Sequence, residues 1–167
     1  MNLLNEWMAN PSPYLIILVP LFALLESCAI VGLFVSGLIL LSTATVLYSS
    51  GNSDLIEIVP LAFLGALAGD HSGYVLGRFA GDRFWKAPVL RRYEHRKHRV
   101  HDLLEKSAPL AICLGRLTPA IRSITPIVAG MSGLSPARFL AFDLVACSIW
   151  ATGLYFLVTQ IGNNLPG

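Results

Sequence analysis

Charge is what this sequence has least of. Asp, Glu, Lys and Arg make up 13% of its 167 residues, where a soluble domain carries about a quarter. A hydrophobic content of 54% and a mean hydropathy of +0.64 exceed what a small water-exposed surface can hide. Together these exclude a soluble enzyme, a disordered chain and a secreted disulfide scaffold, and leave an integral membrane protein. Cysteine is scarce too. Cys28, Cys113 and Cys147 sit in apolar runs with no CxxC pair, which suits small buried residues and not a disulfide framework. No Lys or Arg precedes the first apolar stretch, whereas Glu6 does, so the N-terminal segment is not expected to be a signal peptide. Trp7 and Tyr14 there suit an interfacial belt. GxSxG, HExxH and P-loop motifs are absent, so we expect no enzyme, no cofactor, no resident metal and no nucleic-acid partner.

What is present is apolar length. Four stretches stand out, at 14–48, 58–81, 108–134 and 137–161. A spanning helix needs about 20 residues. Stretches 58–81 and 137–161 each fit one span. The first stretch is too long for one pass and barely long enough for two. The third is too short for two, and it holds Pro109, Pro119, Pro126, Arg116 and Arg122. Irregular backbone survives at membrane depth only where protein or a water-filled cavity surrounds it. Both stretches therefore read as broken, re-entrant hairpins.

The expected fold is an all-α integral membrane protein, a single membrane domain over 1–167. A first repeat, 14–81, pairs a re-entrant helical hairpin with a transmembrane helix. A basic segment follows at 82–107, and an inverted second repeat at 108–162. Inverted repeats with broken helices are a transporter signature. Each hairpin opens with a proline, Pro20 or Pro109, and reaches a charge, Glu26 or Arg116, within seven residues.

The few charges are unevenly placed. Nine of the 12 Lys and Arg fall between Arg78 and Lys106, an interval of net +5, and the rest of the chain is net −3. Pro88 could start a helix there, with Val89, Tyr93, Val100, Leu103 and Leu104 on one apolar face. This reads as a basic amphipathic interfacial helix. The positive-inside rule puts segment 82–106 in the cytoplasm. His95, His98 and His101 recur every three residues, and among so many arginines they suit a solvated basic face better than a metal site.

Gly65, Gly69, Gly73, Gly77 and Gly81 recur every four residues. The spacing predicts a glycine stripe along which a second helix backbone can approach closely. An intramolecular seam is the first reading and a homodimer the second. Asp70 lies beside His71, one position from that stripe. An ionisable group at membrane depth costs at least about 2.5 kcal/mol on insertion scales, so it should face a partner or a cavity. An ion pair with an arginine and proton handling both fit. Glu26 stands at the break of the first hairpin with no basic residue near it in sequence. It suits a proton carrier or a partner of Arg116 or Arg122 across the fold. Those two arginines straddle Pro119 in GRLTPAIRSITPIVAGMSG. Guanidinium groups stay charged and grip phosphate oxygens in a planar fork. On a broken intramembrane loop they form a cradle for an anionic lipid headgroup. Structural pairing with Glu26, Asp70 and Asp143 is the rival reading.

ESCAIVGLFVSG, GDHSGYVLGRFAG and GRLTPAIRSITPIVAGMSGLSPARF resemble the DedA family of bacterial inner-membrane proteins (VTT, or SNARE-associated, domain). The resemblance runs from about residue 20 to 160, and its GRxxPxxR and GYxxGR elements together are specific. It implies facing re-entrant hairpins, and transport or scrambling of phospholipids, notably undecaprenyl phosphate, often driven by the proton motive force. Glu26 matches the family's first-hairpin glutamate, and Arg116 and Arg122 match its two essential arginines. Proton-coupled members carry a second acidic residue directly after the hairpin glycine. Here Leu38 follows Gly37, and the usual prolines of that hairpin are missing, so the coupling ion and the lipid stay open. The leading expectation is thus a flippase or transporter of phosphorylated membrane lipids. The alternative is a non-transporting factor that organises membrane proteins or lipids through the basic helix.

Overall fold

The two stretches of single-span length are unbroken helices in the computed structural model, which describes residues 13–28, 32, 37–81, 94–118 and 121–164. A short 3-10 turn, Pro13–Ile17, leads into α1 (Leu18–Ser27). Then follow α2 (Gly37–Ser49), α3 (Leu55–Ala80) and α4 (Glu94–Lys106). The second half holds α5 (Ala108–Leu117), α6 (Thr125–Met131) and α7 (Pro136–Gly162). No strand occurs among the described residues. At 26 and 27 residues, α3 and α7 are long and apolar enough to cross a membrane. A rise of about 1.5 Å per residue makes each roughly 40 Å long, more than a hydrocarbon core of about 30 Å.

The breaks lie where the chain loses helix support. A proline begins each of α5, α6 and α7 in the first turn, where its missing N–H costs nothing. Gly51 and Gly133 take positive φ angles of 68° and 78° at the turns into α3 and α7, a conformation that glycine adopts without a steric penalty. The lengths run short, short, long in both halves: 10, 13 and 26 residues, then 10, 7 and 27.

Helix α3 packs against α1, α6 and α7, and its glycines explain two of those contacts. A Cβ on Gly65 would run into the Pro20 backbone, and one on Gly69 into Leu24 and Ser27 of α1. One on Gly77 would meet the Ile127 backbone of α6, where Gly130 in turn abuts the backbone of Tyr74. A four-residue step over-rotates a 3.6-residue helix by about 40°, so Gly65 and Gly77 point roughly 120° apart. The row winds around α3 and serves two partners. Gly73 is buried between them. Gly81 is a correction to the expected stripe: it ends the helix with φ of 52°, and among the described residues no neighbouring element comes within 4 Å of where a Cβ would stand. The four-residue period simply runs on into a helix cap.

Two apolar clusters fill the interior. One gathers Val19, Ala23, Leu40, Ile58, Ala66 and Leu154, and the other Tyr74, Val100, Leu104, Ile112, Ile127 and Phe139. Between them along α3 lies buried Asp70, with Glu26, Arg116, Arg122 and Asp143 also buried. The exterior reverses this order: Ile56 is 85% exposed and Phe79 84%, with Leu64, Val145, Phe156 and Leu157 also outward. Charge inside and large apolar side chains outside is the arrangement a bilayer favours.

The basic segment departs from expectation in one respect. On α4, Val100 and Leu104 are buried in the second cluster, and the helix packs on α5 and α6. The described part of its apolar edge is covered by protein. His101 pairs with Glu105 at 3.4 Å on the exposed side. Trp7, Trp85, Pro88, Val89, Tyr93, Pro119 and the side chain of His95 lie outside the described residues, as does the whole of segment 82–93.

Candidate functional site

Helices α1 and α5 each have ten residues, and each carries its charge at the ninth: Glu26 on α1 and Arg116 on α5. Beyond Leu117 the helix opens. Thr118 is extended, with φ of −100° and ψ of 107°, and the Thr118 carbonyl accepts the Arg122 N–H at 3.0 Å. Arg122 therefore sits in the turn ahead of α6, free of α5's axis. The connection after α1 comes to meet this turn. A Cβ on Gly32 would collide with the Glu26 carbonyl and the Ser123 hydroxyl, and one on Gly37 with the Glu26 carboxylate. Small residues on one broken segment thus let the charged residues of both come together.

The pairing is specific. Arg122 Nη1 donates to Glu26 Oε1, and its Nη2 donates to Ser27 Oγ at 2.9 Å. Arg116 Nη1 pairs with Asp70 Oδ2 of α3 and lies 3.6 Å from Asp143 Oδ1 of α7. Glu26 thus meets Arg122, one of the two sequence candidates, and Asp70 meets Arg116. Asp143, expected only as a rival partner, completes the cluster. Trp150 of α7 was not singled out from sequence. Its ring centroid is 5.4 Å from Arg116 Cζ and 5.0 Å from Arg122 Cζ, both within the roughly 6 Å reach of cation–π attraction. Its spacing held the only signal, because Asp143, Cys147 and Trp150 follow the i, i+4, i+7 face of one helix. His71 packs against aromatic rings, with its centroid 5.7 Å from Phe139 and 6.1 Å from Tyr74.

Three carboxylates face two guanidinium groups, and the cluster is not saturated. Arg116 Nε and Nη2, Arg122 Nε, Glu26 Oε2, Asp70 Oδ1 and Asp143 Oδ2 find no hydrogen-bond partner among the described residues. Buried polar atoms are rarely left so. Ion pairs removed from water add little to stability over apolar packing of the same volume, so stability alone does not account for five charges here. Asp70, Asp143 and Cys147 offer ligand atoms within 4.8 Å of one another. Arg116 pairs with both of those carboxylates and already supplies their positive charge.

Arg116, Arg122, Glu26, Ser123 and Trp150 also line a cavity of ≈ 570 Å³. The remaining wall is apolar, from Leu38, Leu40, Leu41, Leu117, Ile149, Leu154 and Leu157, with Gly37 and Gly153 opening space. A charged end and an apolar body match an amphipathic ligand with an anionic head.

The VTT domain matches residues 28–160. The protein is 30% identical to Protein DedA of Escherichia coli over 161 residues, covering 91% of this chain and 73% of that one. It is 30% identical to the inner membrane protein YqjA of the same organism, covering 95% and 74%. An uncharacterized membrane protein of Buchnera aphidicola is 27% identical over 90% of this chain, which spans 61% of that protein's length. No solved structure matches. With the matched domain taking in Asp70, Arg116, Arg122, Asp143 and Trp150, and beginning just after Glu26 and Ser27, the chain belongs to the DedA family of VTT-domain membrane proteins.

Proposed function

We propose that this protein is a multi-pass inner-membrane transporter, not an enzyme, that moves phosphorylated lipids between leaflets. The observation that carries the reading is the pair of buried guanidinium groups, with donors unfilled, on the wall of an otherwise apolar cavity. Arg116 and Arg122 bind the phosphate in this scheme, because a guanidinium offers a fork of donors that fits phosphate oxygens. The lipid chain lies against the leucines of the cavity and the surrounding bilayer.

Glu26 and Asp70 are the resting partners of the two arginines. An arriving phosphate competes with them for the same donors. A proton on Glu26 removes its pull on Arg122 and leaves that arginine for the phosphate, and loss of the proton reverses the exchange. This couples lipid movement to proton movement through one shared arginine. Undecaprenyl phosphate and glycerophospholipids both present the required headgroup, as the DedA resemblance implies.

The topology proposed is an inverted repeat, 14–81 against 108–162, of re-entrant hairpin plus span. The twice-repeated short, short, long order and the matched ninth positions of Glu26 and Arg116 support it. The surplus of Lys and Arg at 82–106 supports a cytoplasmic connection.

The test is a leaflet-resolved assay in liposomes with fluorescent lipid phosphates of several kinds, with and without a pH gradient. Protein-containing vesicles should exchange the label at least about tenfold faster than empty ones. Equal rates for every lipid and gradient would refute transport, and a strong phenotype from charge changes at 98–106 without transport would favour the organising factor.

A further inference from the structure

Trp150 touches both of the arginines assigned to the phosphate, yet it has no role in the exchange just described. Its ring stands within cation–π distance of Arg116 and Arg122 together. The same residue lines the cavity. One turn further on, Gly153 lies on the cavity wall, and among the described residues no neighbouring element comes within 4 Å of where a Cβ would stand, so there is room beside the indole. We propose that Trp150 is a positioning residue: its indole holds both guanidinium groups in place while they exchange carboxylates for phosphate. The proposal rests on the lipid-phosphate reading for its ligand, though not for its geometry.

The physical need is clear. At rest each arginine is fixed by a carboxylate, Arg122 by Glu26 and Arg116 by Asp70 and Asp143. When a carboxylate lets go, two like charges remain close together in a poorly screened interior and repel one another. A long flexible side chain then gains rotamer freedom and loses its aim. The negative face of an indole attracts both cations at once and accepts no proton. It therefore keeps hold of the arginines through both halves of the exchange, in whichever protonation state the carboxylates stand. Tryptophan offers the strongest such face, phenylalanine a weaker one, and leucine none.

The test uses the full chain in detergent with Trp7→Phe and Trp85→Phe, which leaves Trp150 as the sole indole of the three. Without ligand, the near-ultraviolet circular dichroism and emission of Trp150 should change when Arg116 and Arg122 are both replaced by Gln. An unchanged signal overturns the contact. With ligand, decyl phosphate and inorganic phosphate are titrated separately by calorimetry, which distinguishes a lipid headgroup from a free anion. On whichever binds, Trp150→Phe should keep affinity within about threefold and Trp150→Leu should lose about tenfold. Wild-type affinity in the Leu variant overturns the positioning role and leaves the lipid-phosphate reading standing. Equal losses in the Phe and Leu variants, tracking a fall in Tm, reduce Trp150 to packing and overturn it as well. A wild-type protein that binds neither anion, with the arginine-dependent indole signal intact, overturns the lipid-phosphate reading and supports the ring's hold on the arginines.

Discussion

Arg116 and Arg122 are six residues apart, share one tryptophan and line one cavity, but they are held in different ways. Arg116 ends a regular helix and is clasped by carboxylates from both long helices, α3 and α7. Arg122 lies in a turn and reaches one carboxylate and one hydroxyl, both on α1. The first arginine is tied into the frame of the protein. The second bridges two broken segments, and its partners are the ones a small movement of α1 would withdraw. Charge of the same kind in one site is thus divided between a fixed element and a releasable one.

The largest test of that division is Arg116→Ala against Arg122→Ala. Removing Arg116 leaves Asp70 and Asp143 buried side by side without a cation, a loss of about 3–5 kcal/mol. Removing Arg122 leaves one carboxylate at the cavity wall and should cost less than half of that. Thermal unfolding in detergent reads the difference, and Asp70→Asn with Asp143→Asn should recover most of the first loss. A costlier Arg122→Ala would invert the comparison.

A smaller effect should follow Ser27→Ala, which takes one charge-assisted hydrogen bond from Arg122. About 1.5 kcal/mol of stability is expected to go with it. Binding of a lipid phosphate should tighten, because the arginine is then held by one partner fewer. Weaker binding in this variant would mean that Ser27 aims Arg122 and does not restrain it.

The mildest change should be Asp143→Asn, which gives Arg116 a single carboxylate, as Arg122 has. The cluster then counts two carboxylates against two guanidinium groups. Stability should shift by less than about 1 kcal/mol, since Asn fills the same space and keeps polar contacts. The pH dependence of transport should flatten if the extra carboxylate takes part in proton exchange. An unchanged profile would confine that exchange to Glu26 and Asp70.

Much of this arrangement was legible in the sequence, though unevenly. Apolar length gave α3 and α7 nearly to the residue, because a long uninterrupted run leaves a helix as the only structure that satisfies its own backbone. Prolines and charges marked the two broken stretches for the same reason. Glu26, Asp70, Arg116 and Arg122 stood out because charges are rare at that depth. Their partners could not be assigned: Glu26 and Arg122 are 96 positions apart, and only the approach of the broken segments selects that pair over Glu26 with Arg116. Trp150 was hidden by its type, since an aromatic residue near a span reads first as a lipid-facing or interfacial one. Gly81 misled for a related reason. A glycine that caps a helix and one that admits a neighbouring backbone are the same letter, and only φ separates them.

The winding glycine row on α3 also has a mechanical meaning. At Gly65, Gly69 and Gly77 this helix meets α1 and α6 backbone to backbone. Such a contact fixes how far apart two rods lie, and lengthwise the keys are buried Tyr74, whose hydroxyl donates to the Leu134 carbonyl, and Asp70, paired with Arg116. Small sliding of packed helices is an ordinary mode of protein motion. Helix α3 is therefore a shaft with two bearings, one for each broken segment: glycines set the spacing, and any slide has to break the Tyr74 and Asp70 contacts.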